Sequence, residues 1–340
     1  MIRKILAING GGICDVAFLT FMLKLSKYYD KKNIDLLSLF DTFSGVSSGS
    51  IAASAFALRE LFLQRIAKSN PHVIESALEK INPDYSDNDI TKTIKNLKRM
   101  KIANCSSIII STLIVFFEIE GSNIFYRTTL RKIVSINGLL FSKYGDNKKK
   151  VFDEYFDFTL SDVPEGRTLV IKALDVPTIT VKIYTNYKTA IKNNIYVSDP
   201  EQSISKAIEF SSNAPTYFPY NKMSDGGIIL NTSLVEQLFL FQDDDLCIFK
   251  LNNLVTPSTK KVFFDGLIGW LSPILNISLN YENQIFRDLL KYKYQKNICI
   301  VDFDVTKYNL DDLQHIAEIE QIGTKMSTKP AIKFIDNKLN

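Results

Sequence analysis

A serine flanked by glycines is the residue of this chain whose surroundings best suit nucleophilic catalysis. The segment Gly45-Val46-Ser47-Ser48-Gly49 follows an apolar run at 36–40 and precedes a helix-like stretch from Ile51. A Gly-x-Ser-x-Gly turn between a strand and a helix exposes the serine hydroxyl beside a helix N-terminus, where negative charge is favoured. Glycine at both flanks lets the strand and the helix approach closely. Ser47 is therefore the predicted acyl-enzyme nucleophile, and the two flanking glycines support it.

A run of three glycines near the N-terminus offers backbone amides to an anion. Asn9-Gly10-Gly11-Gly12 follows a strand pattern at 2–8 and precedes a helical pattern from Val16. This arrangement presents free N–H groups, and each donor to a tetrahedral oxyanion contributes about 3 kcal/mol. Gly10, Gly11 and Gly12 are thus candidates for an oxyanion hole. A phosphate-binding loop and an ordinary tight turn are the alternatives, although the run lacks the Lys-Ser/Thr of a Walker motif.

A third glycine-bearing turn supplies a carboxylate. In Ser224-Asp225-Gly226-Gly227 the aspartate precedes two glycines, a pattern that more often only forms a turn. A carboxylate becomes a useful base toward a serine hydroxyl when desolvation raises its pKa above the ordinary value of about 3.9. Asp225 is the predicted base, and Gly226 and Gly227 shape its turn.

The three turns, in this order, resemble the patatin-like phospholipase family. The chain also carries Ala214-Pro215-Thr216-Tyr217-Phe218-Pro219, which is similar to the Ala-Pro-x-x-Phe-Pro segment of that family. The resemblance implies a lipid acyl hydrolase with a Ser-Asp dyad, acting on membrane phospholipids without a metal or cofactor. Carried over to this chain, it implies Ser47 as nucleophile, Asp225 as base and Gly10 to Gly12 as the oxyanion loop.

The glycine loop departs from the family pattern at three positions. The first aspartate of the family motif is Asn9, its basic residue is Cys14 and its last glycine is Asp15. Losing the cation removes an electrostatic partner for an anionic intermediate, and a carboxylate nearby opposes negative charge. We expect Asp15 instead to cap the helix that follows. A catalytically silent protein that binds lipid or protein with the same fold is therefore the alternative function.

A histidine-dependent mechanism is the second alternative. In α/β-hydrolases the order along the chain is serine, acid and histidine, and His315 follows Asp225. However, Ser47 follows only the second candidate strand, which is early for that fold. His315 also lies within the helical pattern of Leu313, Ile316, Ile319 and Ile322, which favours a structural role.

Alternating strand and helix patterns predict an α/β fold, and the family resemblance implies three layers around a mainly parallel sheet. Strand-like runs are at 2–8, 36–40, 168–174, 179–184, 246–251 and 298–303, and helical runs are at 16–28, 48–67, 73–80 and 204–210. We expect one catalytic domain over 1–332 and a tail at 333–340. Within it we expect a mostly helical insertion at about 71–162 and a membrane-facing cap at about 253–285.

Composition agrees with a folded protein that has a sizeable core. The chain has 340 residues, 46% of them hydrophobic, and a net charge of +4. Basic clusters at 95–101 and 148–150 are predicted to be solvated, with no concentrated basic helix to suggest nucleic acid. The four cysteines have neither metal-ligand nor disulfide spacing. Because the first residues lack a cleavage site, we expect a cytoplasmic protein peripherally associated with membranes. The oligomeric state stays open.

Two apolar segments are candidates for the core or for the entrance of a lipid. The run at 106–117 is shorter than the roughly 20 residues that span a bilayer. The run at 262–277 contains Trp270, and a tryptophan between polar ends suits a membrane interface. Core packing is the more common role for segments of this length, and a cap over the lipid entrance is the alternative.

Overall fold

The computed structural model describes residues 2–97, 105–125, 147–188, 195–215, 217–218, 222–229, 231–232, 234–241, 244–254, 285 and 288–339. Their strands form one sheet in the order β5-β4-β3-β2-β1-β7-β8, and β6 also pairs with β3. β4 and β6 pair antiparallel with β3, and β5 pairs parallel with β4, so these three strands run opposite to the other five. The strands are β1 (Ile2–Ile8), β2 (Thr42–Val46), β3 (Thr168–Asp175), β4 (Thr180–Thr185), β5 (Tyr196–Val197), β6 (Met223–Asp225), β7 (Asp245–Leu254) and β8 (Ile298–Asp304).

The central strands are apolar on both sides because helices cover both faces of the sheet. In β1, Leu6 and Ile8 belong to the larger buried cluster, whereas Ile5 and Ala7 belong to a separate cluster with Leu240. Side chains alternate between faces along a strand, so the two clusters are the two sides of one sheet. The result is the expected α/β architecture, with a mainly parallel sheet between helical layers.

The described residues also form eleven α-helices, which lie between these strands or after the last of them in the sequence. They are α1 (Asp15–Asp30), α2 (Gly49–Leu58), α3 (Glu60–Ser69), α4 (Pro71–Ile81), α5 (Asp87–Leu97), α6 (Ser106–Ile124), α7 (Asn147–Tyr155), α8 (Ile204–Ser211), α9 (Val235–Leu240), α10 (Ile316–Lys325) and α11 (Lys329–Lys338). The loops that enter α1 and α2 begin at the carboxyl ends of β1 and β2. Open parallel sheets bind their ligands at this edge.

Two predictions of local structure are wrong. The apolar run at 36–40 is a short 3-10 helix, Leu36–Leu39, and the strand before the serine turn is β2. The predicted helix at 48–67 is two helices that meet at Arg59, whose φ is 49°. Apolar content at 36–40 does not distinguish a strand from a buried turn, since neither periodicity extends far enough to decide.

The described part of the region at 71–162 is mostly helical. One of its helices, α6, has 19 residues with a mean hydropathy of 1.5, and is long and apolar enough to cross a membrane. However, 72% of it is buried inside the fold, where it packs against α1 and α4. Burial of this extent is typical of a core helix. The proposed cap at 253–285, including Trp270, lies almost entirely outside the described residues.

Candidate active site

Ser47 lies at the end of β2 in the strained conformation that a nucleophile elbow requires. Its φ is 57°, a left-handed value that is uncommon for a residue other than glycine. The Ser47 N–H donates to Ser211 Oγ at 2.9 Å, and the Ser211 hydroxyl donates to Lys172 O at 2.6 Å. Ser211 is fully buried. Its hydroxyl therefore ties the turn to β3 and helps to hold the strained backbone.

The glycines around Ser47 are required by close backbone contacts. A Cβ atom on Gly45 would lie 2.3 Å from Gly49 O, and one on Gly49 would lie 2.6 Å from Ile8 O. A Cβ on Gly10 would lie 2.3 Å from the Cβ of Ser47. The glycine loop therefore lies directly against the predicted nucleophile.

The strand that ends at Asp225, β6, lies end to end with β2, the strand that precedes the serine turn. The last residue of β2, Val46, pairs with Lys172, and the next residue of β3, Ala173, pairs with Asp225. β6 therefore lies on the same side of β3 as β2, just beyond the end of β2, and runs in the opposite direction to β2. This arrangement brings Asp225 beside Ser47, although the two are 178 positions apart in the sequence.

The environment of Asp225 suits a base. The side chain is buried, and its Oδ1 accepts the Gly227 N–H at 2.7 Å. Burial raises the pKa of the carboxyl to about 6, against the opposing effects of Ser47, the Gly227 amide and two lysines. A carboxylate with this pKa is a stronger base than an exposed aspartate and is still mostly ionised at neutral pH.

The amides of the glycine loop already have acceptors. Gly11 N and Gly12 N donate to Ser48 Oγ at 3.0 and 2.7 Å, and Gly10 N donates to Asn231 Oδ1 at 3.2 Å. Ser48 Oγ therefore lies between two amides, in the position where a bound anion would accept the same hydrogen bonds. An oxyanion can take these donors only if the Ser48 side chain rotates. Sequence reasoning missed Ser48 and Asn231, because nothing but their proximity to the motifs distinguished them.

Asp15 is not the helix cap that we expected. It is the first residue of α1 but makes no capping hydrogen bond, and its Oδ1 accepts from Asn253 Nδ2 at 2.7 Å. The side chain is fully buried beneath the glycine loop. Burial raises its pKa well above the ordinary value, while Ser48 and Asn253 oppose the rise. A raised pKa favours the neutral carboxyl. Asp15 therefore repels an oxyanion less than the sequence suggested.

Two lysines supply positive charge near Asp225. Lys148, which was expected to belong to a solvated cluster, is only 3% exposed, unlike its exposed neighbours Lys149 and Lys150. Its Nζ donates to Asn213 Oδ1 at 2.9 Å and to Glu209 O at 3.1 Å. Lys172 is equally buried, with its Nζ 2.8 Å from Thr232 O. These ammonium groups place cations beside the site, although the loop residue is the neutral Cys14.

The pH dependence of catalysis tests this electrostatic arrangement. If ionised Asp225 is the base, kcat/KM falls as the pH decreases through about 6, because the carboxyl is then protonated. Lys148→Met removes a charge that lowers the Asp225 pKa, so we expect the acidic limb to move to higher pH. The charges of Lys172 and Asp15 also act on the Asp225 carboxyl, and this substitution leaves both residues unchanged.

The control for this experiment is Lys149→Met, which removes an exposed lysine next in sequence. The measurement is a pH profile of kcat/KM on a soluble ester, with thermal unfolding to verify that each variant is folded. Equal acidic limbs in the wild type and in a folded Lys148→Met variant would contradict the arrangement.

An apolar cavity lies beside Ser47. Its volume is about 30 Å³, far below the several hundred Å³ of sites that enclose whole ligands. The rings of Phe125 and Phe218 stack at its wall with centroids 5.9 Å apart. A ligand of more than a few atoms therefore enters only when lining side chains move. The lining consists of Gly12, Ser47, Ser48, Ile51, Phe117, Ile124, Phe125, Phe152, Ser212, Ala214, Tyr217, Phe218 and Leu310.

His315 has other partners. Its Nδ1 lies 2.6 Å from Asp312 Oδ1, and its ring packs against Tyr308. It precedes α10 and is about one-third exposed. The same segment contacts the glycine loop through Leu310, whose carbonyl accepts the Ile13 N–H at 2.8 Å. The contacts of His315 are thus those of a loop that supports the site.

A serine turn at the carboxyl edge of a mainly parallel sheet, beside a buried carboxylate, has the geometry that nucleophilic catalysis by a serine requires. The model of a family described as patatin-like phospholipase matches residues 6–238. The match covers more than half of the chain, which therefore belongs to the patatin-like phospholipase family, whose members are lipid hydrolases. A search of curated proteins returned no match.

Proposed function

We propose that the protein is a lipid acyl hydrolase that cleaves fatty acyl esters of glycerophospholipids through Ser47 and Asp225. The observation that carries the proposal is the strained Ser47 backbone beside a buried carboxylate with a pKa of about 6. The adjacent apolar cavity supports an acyl substrate. Membership of a family of lipid hydrolases supports the lipid class.

In the first half of the reaction, Ser47 Oγ attacks the ester carbonyl while its proton passes to the Asp225 carboxylate. The tetrahedral intermediate collapses, and the lysophospholipid alkoxide leaves with the proton from Asp225. Ser47 is then an acyl ester. In the second half, Asp225 takes a proton from water as the water attacks this ester, and returns it to Ser47 Oγ as the fatty acid leaves.

The oxyanion is proposed to bind at the amides of Gly10, Gly11 and Gly12. Ser48 Oγ accepts two of these N–H groups in the structure, so its side chain rotates away as the carbonyl oxygen arrives. This exchange replaces a neutral acceptor with a charged one, and hydrogen bonds to a charged acceptor are about twice as strong. The same amides therefore favour the transition state over the resting site.

Labelling with a fluorophosphonate probe tests whether Ser47 is activated. Attack of Ser47 Oγ on phosphorus expels fluoride and leaves a covalent adduct, and we expect this adduct on Ser47 in the wild type. Ser47→Ala should not be labelled, whereas the control Ser54→Ala should keep the label, because the Ser54 hydroxyl is buried in α2 and has no hydrogen-bond partner among the described residues. Peptide mass spectrometry locates the adduct. An adduct on another serine would contradict the assignment.

The second candidate is a catalytically silent binder of lipid or protein. It is favoured by the occupied amides of Gly11 and Gly12 and by the lack of a cation at Cys14. Vesicles of mixed phospholipids separate the two candidates. The hydrolase releases fatty acid and lysophospholipid, whereas the binder associates with vesicles and releases neither. For either candidate we propose a cytoplasmic protein that acts peripherally at a membrane.

A further inference from the structure

An exposed isoleucine forms the end of the hairpin between β3 and β4. We call residues 176–179, Val176-Pro177-Thr178-Ile179, the hairpin tip. Ile179 is 81% exposed, and its φ is 52°. The tip closes on itself through a hydrogen bond from Ile179 N to Val176 O at 3.3 Å. A large apolar side chain is therefore held in water by an ordered turn.

The stability of the turn does not explain this isoleucine. A β-branched residue with positive φ is a conformational outlier, whereas asparagine or glycine adopts this conformation at lower cost. Its side chain also gains little from burial, since most of it is in contact with solvent. The positive φ therefore lowers the stability of the folded chain, and the exposed side chain contributes almost no burial to offset that cost. Contact with a partner outside the chain would account for both features.

The hairpin tip projects from the edge of the sheet that carries the site. Ala173 pairs with Asp225, so β3 extends two residues beyond the level of the carboxylate, about 7 Å, before the tip begins. β3 is also the direct neighbour of β2, which ends at Val46, just before Ser47. Ile229, another apolar residue that is 36% exposed, follows the Asp225 turn at the same edge.

The charges around the hairpin tip suit an anionic lipid surface. Residues 176–180 carry no ionisable side chain. Behind them is Lys222, which is exposed and whose carbonyl accepts the Val176 N–H at 2.9 Å. Lys182 follows on β4, and Asp175 is the one acidic residue between residues 170 and 184. An apolar end with lysines behind it matches acyl chains below a layer of anionic headgroups.

We propose that the hairpin tip inserts into the surface of a phospholipid bilayer and sets the site against the membrane, with Ile179 as its main apolar contact. This inference deepens the proposed function and rests on a lipid substrate. It concerns a segment outside the regions that the sequence suggested for membrane contact. Insertion gives Ile179 an apolar environment and thereby offsets the cost that the free protein bears.

Ile179→Asn separates membrane insertion from a structural role, because the two predict different signs. Asparagine suits the positive φ, so we expect the melting temperature to rise by about 2 °C. Loss of the apolar contact should weaken binding to vesicles of phosphatidylcholine and phosphatidylserine about tenfold. Binding is measured by sedimentation of the vesicles with the full chain. If Ile179 only supported the fold, Ile179→Asn would not raise the melting temperature and weaken vesicle binding at the same time.

The matched control is Ile2→Asn. Ile2 is also exposed, at 59%, but begins β1 at the opposite edge of the sheet. Its loss should leave vesicle binding unchanged. Equal vesicle binding by the wild type and Ile179→Asn would overturn the proposal. So would a dimer in solution that Ile179→Asn dissociates, since the tip would then face a second copy of the chain.

Hydrolysis of a soluble ester distinguishes failure of this inference from failure of the proposed function. We expect Ile179→Asn to retain the wild-type rate on that ester, because the tip contacts neither Ser47 nor Asp225 in the described structure. A wild type without esterase activity would refute the proposed function. The vesicle comparison would still decide whether the tip binds lipid.

Discussion

Replacing Ser47 with alanine is expected to lower ester hydrolysis by about 10⁴-fold or more, because no nucleophile remains to form the acyl-enzyme. Asp225→Asn is expected to cause a similar loss, since an amide cannot accept the Ser47 proton. The double variant should be no worse than the poorer single variant, because the two residues act in one step. The measurement is kcat/KM on a soluble ester.

The control for both substitutions is His315→Ala. His315 pairs with Asp312 and Tyr308, so its loss should leave most of the esterase activity. Activity lost in a folded His315→Ala variant would favour the histidine-dependent alternative. A folded Ser47→Ala protein that still hydrolyses lipid would refute the nucleophile assignment. Thermal unfolding verifies that each variant keeps the fold.

Gly45→Ala is expected to destabilise the protein by about 3 kcal/mol and to lower its melting temperature by about 4 °C. The added Cβ would lie 2.3 Å from Gly49 O and 2.6 Å from the Cα of Ser50. Both atoms belong to backbone, so no side-chain rotation relieves the overlap. The strand and the helix on either side of Ser47 must separate instead, and we expect activity to be lost with stability.

Gly166→Ala is the matched control for Gly45→Ala. Gly166 has φ at +81° and no neighbour within 4 Å of an added Cβ, so only its backbone conformation opposes a side chain. The expected loss is about 1 kcal/mol, with activity retained. Calorimetry of the two variants compares steric overlap with conformational strain. A Gly45→Ala protein as stable as Gly166→Ala would show that the elbow tolerates a wider separation.

The match between sequence and structure is best where a pattern is local. The apolar run of β1, the helix after it and the turn around Ser47 each follow from residues within a few positions of one another. The 3-10 helix at Leu36–Leu39 and the break at Arg59 did not follow from a local pattern. In the fold, Leu37 N donates to Ser106 Oγ and Arg59 pairs with Asp35, and both contacts join residues distant in the sequence. The part of the chain at 71–162 showed helical composition but not which of its surfaces would be buried.

Around the site, the motif glycines were recognisable, but their partners were not. Lys148 belongs to a run of three lysines, and only the fold turns it inward toward Asn213 while its neighbours stay exposed. Ser48 and Asn231 are ordinary polar residues in the sequence, and their hydrogen bonds to the glycine loop depend on chain contacts across long separations. Asp15 looked like a helix cap because its pairing with Asn253 spans 238 residues.

The sequence by itself determined the family, the α/β class and the residues that carry the predicted chemistry, because close packing in tight turns restricts them to few residue types. The tertiary structure alone decided that β6 continues the place of β2, which brings Asp225 beside Ser47. It also decided the depth of burial that raises the Asp225 pKa. The strand arrangement and the burial depend on long-range pairing and on exclusion of water, which cannot be predicted from any short segment of the chain.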